Sequence, residues 1–290
     1  MAEPTAVVHR TIAAHTDILE RSPKKKCFIH SFFCQTSLPY RNVDGRTWSR
    51  RCGNLTMHLQ AGSAPDHKGD MVLLPLPSGP KARLVLLHLM TEAVVYQSRT
   101  ISLERTLTAY AKSVGVDTNG RNLRALRDQL QFLAALTVRF AKKLSKHQEI
   151  VQGQLCDSFQ VLHAPRSKRS WCTELTLSEE FYASLVKHAV PLDPRAVGAL
   201  KHSAACIDTY LWLAQRLWRL DGPTLIRWPT LHEQLGGSSV RWASWKQQWL
   251  GKKGLGVLPQ VLAVYPQAKH AVVETDGGLV IKPALPPVSR

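Results

Sequence analysis

The sequence predicts an α+β chain of two tandem units, predominantly helical with small β-hairpins, preceded by a basic N-terminal arm. At 290 residues with a 44% hydrophobic fraction, it exceeds one small domain and carries enough apolar residues for two cores. Its apolar residues recur at helical spacing over long stretches and alternate over short ones, so helices are interleaved with few, short strands. The same plan, helices closed by a hairpin, recurs coarsely in both halves without any short tandem repeat.

Charge sets the class of partner. Lys and Arg number 38 against 21 acidic residues, a formal charge of +17 that points to a polyanion. Nucleic acid comes first and an anionic membrane surface second, but no run approaches the ~18 uncharged apolar residues of a spanning helix. The first 26 residues show no apolar core after a basic cluster, so no secretory signal is expected and the chain is expected in the cytoplasm. Cys27, Cys34, Cys52, Cys156, Cys172 and Cys206 share no repeated spacing, which suits free thiols in a reducing compartment.

Residues 1–36, with Lys24, Lys25 and Lys26, offer little periodicity and read as a flexible basic arm. The first unit is expected over 37–166. Asn54 to Gln60 alternates as a half-buried strand, Gly62 to Lys81 reads as a loop, and Arg83 to Tyr96 is apolar nearly all round, as a central core helix is. A short strand over Arg99 to Leu103 precedes a helix begun by Ser102 and stopped by Gly115. Leu123, Leu126, Leu130, Leu133 and Phe140 then recur at helical spacing, with Arg121, Arg124 and Arg127 off that stripe. Residues 148–163 read as a hairpin around Gly153.

The basic, proline-bearing stretch Ala164 to Ser170 is expected to be the domain boundary, and 167–290 the second unit. Ser178 caps a helix through His188, and Ala204 to Leu220 is a long aromatic-rich helix ended by Gly222 and Pro223. A strand over Thr224 to Trp228, a short helix with Pro229 in its first turn, a Gly236–Gly237 stop, a helix capped by Ser238 or Ser239, and a hairpin around Asp276-Gly277-Gly278 follow. A helix–turn–helix closed by a hairpin is a winged helix, and the expectation is two of them in tandem.

On the helix expected from Ser239 to about Leu250, Trp242, Trp245 and Trp249 form one apolar stripe. Arg241, Ser244 and Gln248 share a neighbouring face, with Lys252 and Lys253 beyond. A DNA-reading helix needs this division: its inner face packs on the domain while the outer one offers forked or amide donors to base edges and phosphates. An ordinary core helix with a solvated face is the other reading of the same periodicity. In the first unit Arg121, Asn122, Arg124, Arg127, Lys142, Lys143 and Lys146 form a positive surface opposed only by Asp128, suited to phosphate contact. The wing around Gly277 carries Glu274 and Asp276, so contact there is expected only through backbone groups or Lys269. Tyr210, Trp212 and Trp218 read as core rather than as a base-stacking platform.

Catalysis is not expected. None of the 12 histidines forms the His-x-His of a metal-dependent nicking enzyme, and there is no G-x-x-x-x-G-K-[ST] phosphate loop. Cys27, His30, Cys34 and Cys52 match no common zinc spacing, so neither a metal nor any other cofactor is expected.

Residues 79–115 (GPKARLVLLHLMTEAVVYQSRTISLERTLTAYAKSVG) and 120–137 (GRNLRALRDQLQFLAALT) resemble the first winged-helix unit of RepA-type plasmid replication initiators. Residues 175–193, 199–220 and 261–283 resemble the second, and WSRRCGNLTMHLQAG (48–62) resembles the strand that opens the family's conserved region. The resemblance spans roughly residues 38–285. It implies binding to iterated repeats in double-stranded origin DNA, self-repression as a homodimer, and recruitment of the host initiator and replicative helicase. A winged-helix transcriptional repressor is the rival function on the same fold. By the resemblance, the DNA-reading helix is Ser239 to about Leu250 and the central basic helix Gly120 to Leu136. Gly251, Gly254, Gly256 and Pro259 stand where the family runs a continuous helix, and since glycine and proline disfavour helix by roughly 1 and 3 kcal/mol, the reading helix is expected to stop near Gly251.

Overall fold

The computed structural model describes residues 4–66, 68–143, 148–163, 170–237, 241–252 and 254–289. The chain folds into two compact units that depart from chain order: a central unit, Arg41–Ala189, and a terminal unit that joins Met1–Tyr40 to Val190–Arg290.

The terminal unit begins with helix α1 (Pro4–Glu20), which buries Val7 and Thr11 and leaves Val8, Ile12 and Leu19 exposed. Strand β1 (Cys27–His30) leads into α2 (Ser31–Gln35), whose first turn is capped by His30: Nδ1 accepts from the Phe32 N–H at 3.1 Å.

The chain then enters the central unit. Strands β2 (Thr47–Cys52) and β3 (Leu55–Gln60) form a hairpin turned at Gly53, which sits at φ +60. A small two-stranded sheet of β4 (Ser63–Pro65) and β5 (Met71–Leu73) follows. Helix α3 (Gly79–Val95) has Pro80 in its first turn and is buried from Ala82 to Leu87, as its lack of a polar face requires. After β6 (Thr100–Ser102), α4 (Leu107–Ser113) is capped by Thr106, whose Oγ1 accepts from the Ala109 N–H at 3.1 Å. Helix α5 (Gly120–Ala134) lays Leu126, Leu130 and Leu133 on α3. Strands β7 (Thr137–Lys143), β8 (Gln148–Gln154), β9 (Cys156–His163) and β10 (Ser170–Leu177) and helix α6 (Glu179–His188) complete the unit. Two antiparallel sheets result, ordered β2-β3-β7-β8 and β6-β10-β9.

On re-entering the terminal unit, β11 (Ala189–Leu192) pairs with β1. Helix α7 (Pro194–Leu200) is followed by α8 (Ala204–Arg216), which buries Ile207, Tyr210, Leu211 and Trp212 almost completely. Strand β12 (Thr224–Arg227), helices α9 (Trp228–Leu235), α10 (Trp242–Leu250) and α11 (Val257–Val264), and the hairpin β13 (Val272–Glu274) and β14 (Gly278–Ile281) follow. Helix α11 packs on α8, and α1 and α7 pack on α11. Arg195 fastens α1 to α7, binding Asp193 through Nε and Nη2 (3.0 and 2.7 Å) and Asp17 Oδ2 through Nη1 (2.9 Å). The hydrogen bond from Arg195 is the main cause holding the Asp17 carboxyl below the usual carboxylate range.

Both units share an order. A buried helix (α3, α8), a short strand (β6, β12) and two further helices (α4 and α5; α9 and α10) precede a hairpin (β9–β10, β13–β14). In each, the short strand pairs with the hairpin's second arm, in the orders β6-β10-β9 and β12-β14-β13. The central unit interposes β7 and β8 before its hairpin, and the terminal unit interposes α11.

Several expectations need correction. From Pro4 on, the expected flexible arm over 1–36 is ordered structure: α1, β1 and α2 are integral to the terminal unit, because the apolar residues of α1 pack on α7 and α11. The boundary expected at 164–170 falls between β9 and β10, which pair with each other, so the divisions 37–166 and 167–290 give way to 41–189 and the two terminal segments. Residues 164–169 themselves lie outside the described residues. Phe140 does not extend α5, which ends at Ala134; it lies on β7, in register with Met57 of β3 and Val151 of β8. Residues 148–163 form no hairpin, since β8 pairs with β7 and β9 with β10 in different sheets. Thr106, not Ser102, caps α4, and the expected loop at 62–81 contains β4 and β5. Among the described residues no helix is long and apolar enough to cross a membrane.

Candidate nucleic-acid interface

Helix α10 stands on its tryptophans. Trp245 and Trp249 are buried and stacked with ring centroids 5.5 Å apart, and the Trp249 Nε1–H donates to Thr209 Oγ1 on α8 at 3.1 Å. His232 of α9 meets Trp245 edge-on at 5.2 Å, so two neighbouring elements fix the helix's rotation about its axis. With that rotation fixed, Arg241, Ser244, Gln247 and Gln248 are exposed. Trp242 is 47% exposed and departs from the expected three-tryptophan stripe, because the first residue of the helix projects beyond the core that holds Trp245 and Trp249.

The ends of α10 differ from expectation at one point and agree at the other. The helix begins at Trp242 with Arg241 in the N-cap position, without a side-chain cap bond; Ser239, with Ser238, lies outside the described residues, as does Lys253. It stops at Leu250 with Gly251 in the left-handed region at φ +84, as the glycines predict, and Val257 starts α11 soon after.

Lys252 is not a free cation. Its Nζ bonds Glu274 Oε1 on β13 at 2.8 Å, and Lys246 Nζ approaches the same oxygen at 3.7 Å. Lys246 also lies 4.1 Å above the centre of the Trp228 ring, and the Trp228 Nε1–H is shared between the Thr275 and Asp276 carbonyls, 3.2 Å from each. Gly278 completes the wing by passing so near the Ile226 carbonyl that a Cβ would collide with it.

In the central unit the Asn119 side chain caps α5 by accepting from the Asn122 N–H at 2.9 Å, which sets Asn122 in the first turn. Arg121 and Arg124 are exposed and carry no ion pair among the described residues. Arg127 is half-buried and bonds its neighbour Asp128 at 3.2 Å, so its charge is partly spent internally. Lys142 and Lys143 are exposed but sit on strand β7 rather than on the helix, with the Lys143 N–H donating to the Asn54 carbonyl at 2.8 Å. Lys146 lies outside the described residues.

Sequence reasoning missed three cations. Burial first, and the charge of Arg121 second, lower the Lys81 pKa, placing this α3 residue beside the first turn of α5. Arg227, exposed at the end of β12, and Lys246 were passed over because neither shares the helical face that singles out Arg241, Ser244 and Gln248. All six cysteines are free, and burial pushes the Cys34 and Cys156 thiols up well beyond their ordinary range. Among the described residues no group of His, Cys, Asp and Glu is arranged to hold a metal ion.

The family model RepA_C, described as plasmid encoded RepA protein, matches residues 76–227, just over half of the 290. That span contains α5 and ends before α10. Crystallised selenomethionine derivatives of domains 2 and 3 of RctB are similar in fold at 10% identity, with a TM-score of 0.54 over 89% of this chain and 99% of that one. A second crystal structure of RctB domains 2-3 superposes with a TM-score of 0.48 at 10% identity, covering 88% of this chain and 97% of that one. No curated protein matches the chain.

Proposed function

Since this chain belongs to the RepA_C family of plasmid encoded RepA proteins, we propose that it initiates plasmid replication by binding repeated sites in double-stranded origin DNA without chemistry of its own. The observation that carries the reading is the division of α10: Trp245 and Trp249 are locked into the terminal unit while Arg241, Ser244 and Gln248 stand free of it. Each unit serves as a winged helix, α4–α5 and α9–α10 supplying the paired helices and β9–β10 and β13–β14 the wings. Helix α10 enters the major groove, where arginine and glutamine make bidentate contacts to guanine and adenine edges. Helix α5, through Arg121, Asn122, Arg124 and, to a lesser degree because Asp128 already holds it, Arg127, grips phosphates together with Lys142 and Lys143 of β7 and positions the protein without reading sequence. Bound at the origin, the protein recruits the host initiator and replicative helicase, and as a homodimer it represses its own promoter.

A plasmid carrying only this gene and its flanking repeats tests the reading. Autonomous maintenance that is lost in an Arg241→Ala, Gln248→Ala double variant is expected. Silencing of the gene's promoter without maintenance would make the protein a transcriptional repressor instead.

A further inference from the structure

Glu274 sits where the wing of the terminal unit meets α10. One of its oxygens holds Lys252 at 2.8 Å and approaches Lys246 at 3.7 Å, so a single carboxylate neutralises cations at two places along and just beyond the helix. The side chains of Lys252, Glu274 and Lys246 are 55%, 37% and 21% exposed, leaving the cluster within reach of an external anion. Trp228 braces it from below: its ring carries Lys246, and its indole N–H holds the backbone of the wing tip at Thr275 and Asp276.

Ion pairs this exposed add little to folding. Their larger effect is on what the lysines do next to a polyanion. Sequence-independent binding to DNA comes almost entirely from phosphate neutralisation, whereas a cognate site adds base contacts. Base contacts fix the pose of a cognate complex, whereas a random complex can settle wherever its cations reach phosphate, so a carboxylate that competes with phosphate for Lys246 and Lys252 weakens random binding by a larger factor than cognate binding. We propose that Glu274 is a specificity-determining positioning residue, which pins the wing to α10 and withholds two lysines from non-cognate DNA. The inference rests on the reading of α10 as the DNA-facing helix.

The test compares a duplex carrying the repeats that flank this gene with a shuffled duplex of the same length, each titrated with the full chain over a salt series. Glu274→Gln is expected to tighten binding to the shuffled duplex roughly eightfold at 0.1 M salt for each lysine released, and to steepen the slope of log K against log salt by about 0.9 per lysine. The cognate duplex gains less, so the ratio of the two affinities narrows. Glu274→Asp, which keeps the charge, stays near the wild-type ratio and shows that the wing still folds. Adding Lys246→Gln and Lys252→Gln to Glu274→Gln abolishes the gain. Unchanged affinity and slope on the shuffled duplex, or equal tightening on both duplexes, overturns the inference. Failure of the underlying reading has a separate signature: an Arg241→Ala, Ser244→Ala, Gln248→Ala variant that binds the repeats as the wild type does.

Discussion

Charge removal at α10 and α5 gives a quantitative measure of how this protein holds DNA. Arg121, Arg124, Lys142, Lys143 and Arg241 are exposed and carry no ion pair among the described residues, whereas Arg127 and Lys252 are already paired with Asp128 and Glu274. Taking these about five free cations as the phosphate-neutralising set, log K should fall with log salt at a slope of about −4.5, an affinity loss of roughly 500-fold between 50 and 200 mM salt. Arg241 separates the two kinds of contact. Because it is exposed and partnerless among the described residues, Arg241→Ala should leave folding within about 0.5 kcal/mol of wild type. If it makes a bidentate base contact, cognate binding drops by about 1–3 kcal/mol, roughly 5- to 150-fold, with random binding little changed. If it touches phosphate, both duplexes weaken alike and the slope shallows by about 0.9. Lys252→Ala should do less than either, since its charge is already held by Glu274. Fluorescence anisotropy with a labelled duplex across a potassium chloride series reads all of these. A wild-type slope shallower than about −2 would refute the picture of a basic clamp.

Other expectations concern the scaffold. Arg195→Met strands the Asp193 carboxylate, 2% exposed, without its guanidinium and should cost about 3 kcal/mol by urea denaturation; a loss under ~1 kcal/mol would mean that the α1–α7 fastening is incidental. Burial pushes the His88 imidazole down to about 4, so the unfolded chain takes up this proton near pH 6.5 while the folded one refuses it. The associated stability is present in full above pH 6.5 and falls as pH drops toward 4, by about 3 kcal/mol, and His88→Phe should flatten that part of the stability–pH profile. Gly251→Ala places a side chain at φ +84 and within 3.1–3.2 Å of Gly256 and Gly254 backbone atoms, so it should lower stability by about 1–2 kcal/mol. Its DNA affinity should fall as well, because the end of α10 must shift; an unchanged melting temperature would show that this cap is dispensable.

Much of the site was legible in residue order because it is written in local periodicity. Trp245 and Trp249 against Arg241, Ser244 and Gln248 declare two faces of one helix before any fold is known, and Gly251 declares its end. The cap at Ser178 and the turn at Gly277–Gly278 are likewise local chemistry, a side-chain oxygen or a missing Cβ acting within a few residues.

What local pattern could not supply was partnership across distance. Residues 1–36 looked like an arm because the apolar positions of α1 find their partners in α7 and α11, nearly two hundred or more residues away. Phe140 fits a helical stripe and a strand equally well; the pairing of β7 with β3 decided for the strand. The basic stretch at 164–170 looked like a linker because its composition says nothing of the β9–β10 pairing on either side. Charge shows the same division. The sequence by itself determined that the chain is strongly basic and that α10 has a polar face, but only the tertiary structure decided that Lys252 and Lys246 converge on Glu274 while Arg241 stands free, because an ion pair needs proximity in space and residue order carries none.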